Sequence, residues 1–492
     1  MIFSSLEFLF GFLPLTLAVS WLAIRVGGQK ALLVWLVAAS IGFYGRWHLP
    51  DLLVLGASVA VNFGIGQVLY RRAARPLLVL GIAFNLILLG YFKYAGFLAE
   101  TVNAVLGTHY GSDKLALPLA ISFITFQKIA YLIDVFHRRT SDRSLLSYLF
   151  FASFFPQLIA GPIVHHREIV PQLRSGRFGH LTRDGLSRGA AMFSMGLYKK
   201  VMLADGMATF ADAVFNASAA PTLVDAWGGA LAYAFQIYFD FSGYTDMALG
   251  LGLMFGLRLP VNFNSPYKAT SIIDFWRRWH ITLSHFLRDC LYIPLGGNRH
   301  GVLRRHVSLM VTMLLGGLWH GAGWTFVAWG GLHGGYLVVN HLWRGLRGER
   351  RPGVIGRWAG RVLTLAAVVV AWVFFRADSF GRAWEILGGM AGANGWAPQA
   401  DVALLDSTAY VWEAVLLGVV WLLPNTQEWL TFRRPLSSEP AHPPLTPTGW
   451  GKPLWRWRGW IAPPLLASAL GIVVVVLLAT SGRNQPFIYM IF

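Results

Sequence analysis

The stretch VSLMVTMLLGGLWHGAGWTFVAWGGLHGGYLVVNHLW, residues 307–343, contains no aspartate, glutamate, lysine or arginine, and arginine-rich connections bound it on both sides. As one helix it would be about 55 Å long, roughly twice the ~30 Å hydrocarbon core of a bilayer. It therefore predicts two crossings, an antiparallel pair bending near Gly321 to Gly323. Comparable uncharged runs recur at Leu52 to Tyr70, Pro76 to Phe92 and Gly459 to Gly482. The expected fold class is an all-α integral membrane protein.

Composition agrees. Of 492 residues, 55% are hydrophobic and only 13% charged, far from the balance of a soluble domain. The net charge of +18 is not a nucleic-acid signature, because the positive residues do not line one polar and aromatic face. They crowd short loops instead: Arg71, Arg72 and Arg75; Arg138, Arg139 and Arg143; Arg344, Arg347, Arg350, Arg351 and Arg357; Arg433, Arg434, Lys452, Arg456 and Arg458. The intervening connections, Glu100 to Lys114, Asp212 to Asp225 and Asp378 to Asp406, carry little positive charge. By the positive-inside rule the basic loops are cytoplasmic, where they can also meet anionic lipid headgroups.

On that assignment the first helix runs inward from an outer N-terminus, and segments near 31–48, 51–70, 77–97 and 115–136 alternate after it. The N-terminus lacks a basic region and a small-residue cleavage site, so it reads as a retained helix. Ser144 to Val164 has basic flanks on both sides and contains Pro156, Gly161 and Pro162. Ile272 to Leu295 carries too many charges to cross. Both are expected to be re-entrant, with irregular backbone covered by protein or a water-filled cavity. Segments near 187–211, 227–256, 361–377, 406–423 and 460–480 complete about 12 crossings, leaving the C-terminus outside as well. Residues 1–492 read as one polytopic domain without internal repeats, with a core near 115–343 and a proline-rich, basic cytoplasmic loop near 424–460. The single cysteine, Cys290, excludes a disulfide within the chain and a thiolate metal cage.

Inside this apolar frame His320 stands out. It lies about 22 Å along a helix from Arg305, so the ring falls between the two faces of the core. Ionisable groups at such depth are functional candidates by default. Burial favours the uncharged imidazole, the form a general base needs. The alternative is a histidine that hydrogen-bonds neighbouring helices. Gly316, Gly317, Gly321, Gly323, Gly330, Gly331, Gly334 and Gly335 surround it in sequence, and either let helices approach closely or leave a passage for a narrow ligand.

A second constellation is IIDFWRRWHITLSHFLRDCLYIPLGGNR, residues 272–299. Asp274 is placed to pair with Arg277 and Arg278 on a helix, and Trp276, Trp279 and Phe286 supply an apolar band. The arginines can snorkel to headgroups, or hold the phosphates of a nucleotide-type acyl donor. His280 is the residue of this stretch that reads as more than interfacial. In FQIYFDFSGYTDMALGLGLMFG, Asp240 and Asp246 lie in an apolar span near Tyr238, Ser242 and Tyr244. With Asp274 they are candidates for an internal polar network. His320 and His333 are thirteen apart, a spacing reminiscent of a membrane haem helix, although a glycine break intervenes. No GxSxG, P-loop or HExxH pattern occurs.

The segments DFSGYTDMALGLGLMFG, FWRRWHITLSHFLRDCLYIPLGGNR and GGLWHGAGWTFVAWGGLHG together resemble the membrane-bound O-acyltransferase family, in its bacterial alginate O-acetyltransferase branch. The terminal MIFSSLEFLFGFLPL and FIYMIF are similar to the ends of that branch, so the likeness spans nearly the whole chain. It implies a fold in which transmembrane and re-entrant helices surround a central tunnel. It also implies transfer of an acetyl group from a cytoplasmic thioester, acetyl-CoA or another acyl donor, across the bacterial inner membrane. No bound cofactor and no metal are implied. His320 matches the catalytic histidine of the family, and His280, forty positions earlier, matches its polar partner. Arg277, Arg278 and Trp319 are candidate contacts to the acyl donor. Cys290 departs from the aromatic residue more usual there. Branch members work with separate periplasmic acetyltransferases that modify an exported polysaccharide such as alginate. The competing readings are a flippase or transporter for a lipid-linked sugar, which would consume no thioester, and a haem protein.

Overall fold

The computed structural model describes residues 1–109, 111, 116–175, 178–348, 352–396, 404–430, 471, 473–475 and 487–488. Among them every regular element is helical. The described residues form two compact units, one drawn from 1–197, 244–260 and 471–488, the other from 198–243 and 261–430.

The first unit begins with a π-helical turn, Glu7–Phe12, that continues into α1 (Leu13–Gly45). Gly28 breaks α1 with a φ of 64°, a left-handed conformation that glycine adopts without a Cβ penalty. The two limbs on either side are the first helix and the 31–48 segment expected from the sequence. The unit continues through α2 (Asp51–Arg71), α3 (Arg75–Leu89), α4 (Ala95–Leu106) and α5 (Ile121–Phe136). Asn62 and Asn85 exchange amide hydrogen bonds of 3.1 and 2.7 Å between α2 and α3, each satisfying a polar group with no access to water. Leu53, Leu80, Ile87 and Val105 stay exposed, as lipid-facing residues must.

The segment expected to be re-entrant is broken into α6 (Leu145–Ser153) and α7 (Phe155–Leu158), separated at Phe154. The longer piece rises about 14 Å and cannot cross a bilayer. Residues 150–164 are all buried, so protein covers the irregular backbone. Two more helices follow, α8 (His166–Leu173) and α9 (Arg183–Tyr198).

The second unit holds α10 (Asp205–Phe215) and the part of α11 (Leu223–Met254) up to Gly243. The polar segment after it is again broken into short helices, α12 (Ile272–Trp276) and α13 (Ile281–Leu287), before a π-helical turn at Arg288–Tyr292. The opening stretch is the expected helix pair, α14 (Gly301–His320) and α15 (Trp324–Arg347), joined where Gly321 and Gly323 are extended. A Cβ on Gly330 would lie 2.3 Å from the Met313 carbonyl oxygen, and one on Gly317 2.3 Å from that of Phe326. These glycines therefore serve close approach between the two helices, whereas Gly335 faces open space. The unit closes with α16 (Val354–Arg376), α17 (Phe380–Met390), α18 (Ser407–Leu422) and α19 (Thr426–Leu430).

By length and composition, four described helical stretches can cross a membrane: Glu7–Gly45, Asp51–Arg71, Arg75–Leu106 and Val354–Arg376. The expected loop near 424–460 lies outside the described residues beyond 430, and so does most of the 460–480 span.

Candidate active site

His280 sits between α12 and α13 with φ 42° and ψ 56°, a left-handed conformation uncommon for a residue with a Cβ. Such a conformation persists only where surrounding contacts over-determine it, and it clusters at functional sites. Here Asn262 supplies those contacts. Its backbone oxygen accepts the Ile281 N–H at 2.9 Å. Its Oδ1 accepts the Thr282 N–H at 3.2 Å and the Thr282 hydroxyl at 3.0 Å. The same oxygen lies 3.2 Å from His280 Nδ1. An amide oxygen is acceptor only, so Nδ1 carries the proton in the neutral ring and Nε2 is the acceptor nitrogen.

His320 ends α14, only 3% exposed. Its ring centroid is 6.4 Å from that of His280. The helix pair and the broken segment thus bring together the two histidines that are far apart in sequence. Trp319 lies beside both, 4.8 Å from His320 and 6.2 Å from His280. Phe241 meets His280 edge-on at 4.8 Å, and Trp329 and Phe375 meet His320 at 5.0 and 5.3 Å. The pair sits in an aromatic enclosure that excludes water and strengthens every electrostatic interaction within it.

The other predicted residues make contacts of their own. Arg278 donates to Asp274 Oδ1 at 2.8 Å and to the Asn264 carbonyl at 3.3 Å, which ties its guanidinium to the turn entering α12. Asp274 also accepts the Thr270 N–H at 3.2 Å. Arg277 is exposed. Asp240 pairs with the buried Lys200 at 2.7 Å, and Lys200 also reaches Asp205 at 2.8 Å. Asp246 is buried but belongs to the first compact unit. His333 is separated from His320 by the Trp329 ring, which contacts both imidazoles at 4.8 and 5.0 Å.

Sequence reasoning missed Asn262, Lys200 and Phe375. Asn262 lay in the polar run VNFNSP, and Lys200 was half of a lysine pair inside an apolar segment. Either irregularity could have marked its residue. Phe375 carries no such signal.

The described fold is helical, with stretches long and apolar enough to cross a membrane, and it buries the two histidines side by side. Residues 135–352 match the membrane-bound O-acyltransferase family. The chain is 41% identical to a peptidoglycan O-acetyltransferase of Helicobacter pylori and 44% identical to a probable alginate O-acetylase of Azotobacter vinelandii. These matches cover 80% of this chain, and 80% and 79% of the two relatives. A teichoic acid D-alanyltransferase of Streptococcus thermophilus is 28% identical over 47% of this chain and 59% of its own length. The chain belongs to the membrane-bound O-acyltransferase family and is an acyltransferase.

Proposed function

We propose that the protein transfers an acetyl group from a cytoplasmic thioester, acetyl-CoA or a related acyl donor, to a hydroxyl, for O-acetylation of an exported polysaccharide. The observation that carries this reading is the buried approach of His280 to His320, with ring centroids 6.4 Å apart. His320 takes the hydroxyl proton as that oxygen attacks the thioester carbonyl. The carbonyl end of α14, where His320 sits, favours the positive charge the ring then acquires. His280, with its proton held toward Asn262, presents an acceptor nitrogen and orients the attacking hydroxyl. Trp319 packs beside the donor. Arg278 is engaged with Asp274, so the exposed Arg277 is the better candidate for the donor's phosphates.

In this reading the helices make about 12 crossings with both termini on the periplasmic side of the inner membrane. The acetyl group passes from the basic cytoplasmic loops through a tunnel towards the periplasmic side, where a separate acetyltransferase receives it. Similarity to peptidoglycan and alginate O-acetylating proteins supports the acetyl group and an extracytoplasmic acceptor.

The test is turnover of radiolabelled acetyl-CoA by the purified protein in lipid, comparing wild type, His320→Ala and His280→Ala. A positioned base contributes about 10²- to 10⁴-fold, and His320→Ala should lose that much while remaining folded and inserted. Near-wild-type turnover in that variant overturns the base assignment. An inactive wild type overturns the donor, and movement of a lipid-linked sugar without thioester consumption would establish a flippase instead.

A further inference from the structure

The attack that His320 promotes places negative charge on the thioester oxygen, and that oxygen needs N–H donors. His280 does not supply one in the neutral tautomer that Asn262 selects, because its Nδ1–H is directed to the Asn262 oxygen. The donors have to come from elsewhere in the enclosure.

One stands next to His320 and a second lies directly behind it. Trp329 is 1% exposed, and its ring meets His320 edge-on with centroids 5.0 Å apart. His333 is 0% exposed, and its ring lies 4.8 Å from that of Trp329. The His333 tautomer is set by Trp276, whose indole N–H donates to His333 Nδ1 at 3.3 Å. An Nδ1 that accepts is unprotonated, so the neutral ring carries its hydrogen on Nε2. Among the described residues neither the His333 Nε2–H nor the Trp329 Nε1–H meets an acceptor. Buried tryptophan N–H groups ordinarily find a partner; here Trp329, His333 and the stacked Trp372 all hold ring N–H groups without one, and of these Trp329 contacts His320 directly. Both rings are held rigidly: Trp329 stacks on Trp372 at 5.6 Å and 16°, and His333 lies parallel to Phe275 at 6.0 Å and 14°. Rigid donors that need not reorganise during reaction are what electrostatic stabilisation of a developing charge requires.

We infer that Trp329 Nε1–H and His333 Nε2–H form the oxyanion hole of this enzyme, donating hydrogen bonds to the carbonyl oxygen of an acyl thioester. The inference rests on the acetyl-transfer reading above. The acceptor hydroxyl oxygen bonds to the carbonyl carbon, its proton passes to His320, and the carbonyl π-pair moves onto oxygen, where the two N–H groups hold it. That pair then returns, the carbon–sulfur bond breaks with its electrons leaving on sulfur, and His320 gives the proton to the departing thiolate. The products are an ester and a free thiol, with no oxidant or further reactant consumed.

The test uses the full-length protein in lipid with two probes, acetyl-CoA for turnover and S-ethyl-coenzyme A for binding. The second is a thioether of nearly the same shape that lacks the carbonyl oxygen. Trp329→Phe and His333→Phe keep aromatic rings and remove the donors. The expected result is a fall in kcat of about 10²- to 10³-fold in each, with thioether affinity unchanged. Trp276→Phe, which releases the His333 tautomer without touching the reacting atoms, should slow transfer more mildly, again with unchanged thioether affinity. Affinity that falls in step with turnover would mean that the rings only shape the site, and wild-type turnover in both donor variants would mean that they do not touch the oxygen. Either overturns the inference, while the wild type still turns over acetyl-CoA. An inactive wild type fails the thioester reading itself and this inference with it.

Discussion

Asn262 Oδ1 lies 3.2 Å from His280 Nδ1, and the same oxygen receives the N–H and hydroxyl of Thr282. One buried amide therefore sets both the tautomer of the ring and the left-handed turn that carries it. A side chain of similar size without the acceptor would free the ring and leave the Thr282 groups unsatisfied.

Asn262→Leu should accordingly slow acetyl transfer about 10- to 100-fold, a part of what a positioned acid or base group contributes. It should also destabilise the protein by about 1–3 kcal/mol, the usual cost of stranding a buried donor. Steady-state kinetics and thermal unfolding in detergent separate the two effects. A variant with lowered melting temperature but unchanged kcat would show that Asn262 supports the turn alone.

Among the described residues of the second unit, Lys200 forms the most deeply buried ion pair. Its Nζ is 2.7 Å from Asp240 and 2.8 Å from Asp205, and the Lys200 and Asp240 side chains are each 2% exposed. Removing one partner of a buried pair leaves an uncompensated charge, at a cost of about 3–5 kcal/mol, whereas replacing both is often neutral. Lys200→Met should thus be strongly destabilising, and Lys200→Met with Asp240→Leu should recover most of the loss, because the Asp205 side chain is less deeply buried, at 18% exposed. Melting temperatures of the single and double variants test this, and additive losses would count against the pair.

The same distinction between local and distant signals explains what the sequence reveals. The α14–α15 pair is legible because span length and its flanking arginines are local properties, and the broken segments at 144–164 and 272–295 are legible because charge, proline and glycine interrupt them. His320 declares itself by its apolar setting. Asn262 is hinted at only by the polar run VNFNSP, since its importance arises when the chain folds it against His280, eighteen residues on. Lys200 and Asp240, on different helices, are a pair only in three dimensions. The glycines around His320 left two readings open. Gly317 and Gly330 follow the packing one, because the facing backbone atoms leave no room for a methyl group.

That resolution makes a sharp prediction along a single helix. A Cβ at Gly330 would sit 2.3 Å from the Met313 oxygen, so Gly330→Ala must push α15 away from α14 and shift the end of α14 that carries His320. Overpacking of this kind costs about 1–3 kcal/mol, and a displacement near 1 Å at a reacting group can lower turnover about 10²-fold. At Gly335, on the same helix, a methyl group would meet nothing within 4 Å. Gly335→Ala should therefore leave activity intact and gain up to about 1 kcal/mol from better helix propensity. Melting temperature and acetyl-CoA turnover of the two variants decide the matter. Equal tolerance at both positions would show that the helices do not rely on the Gly330 contact, and equal damage would show that Gly335 faces a partner in the membrane.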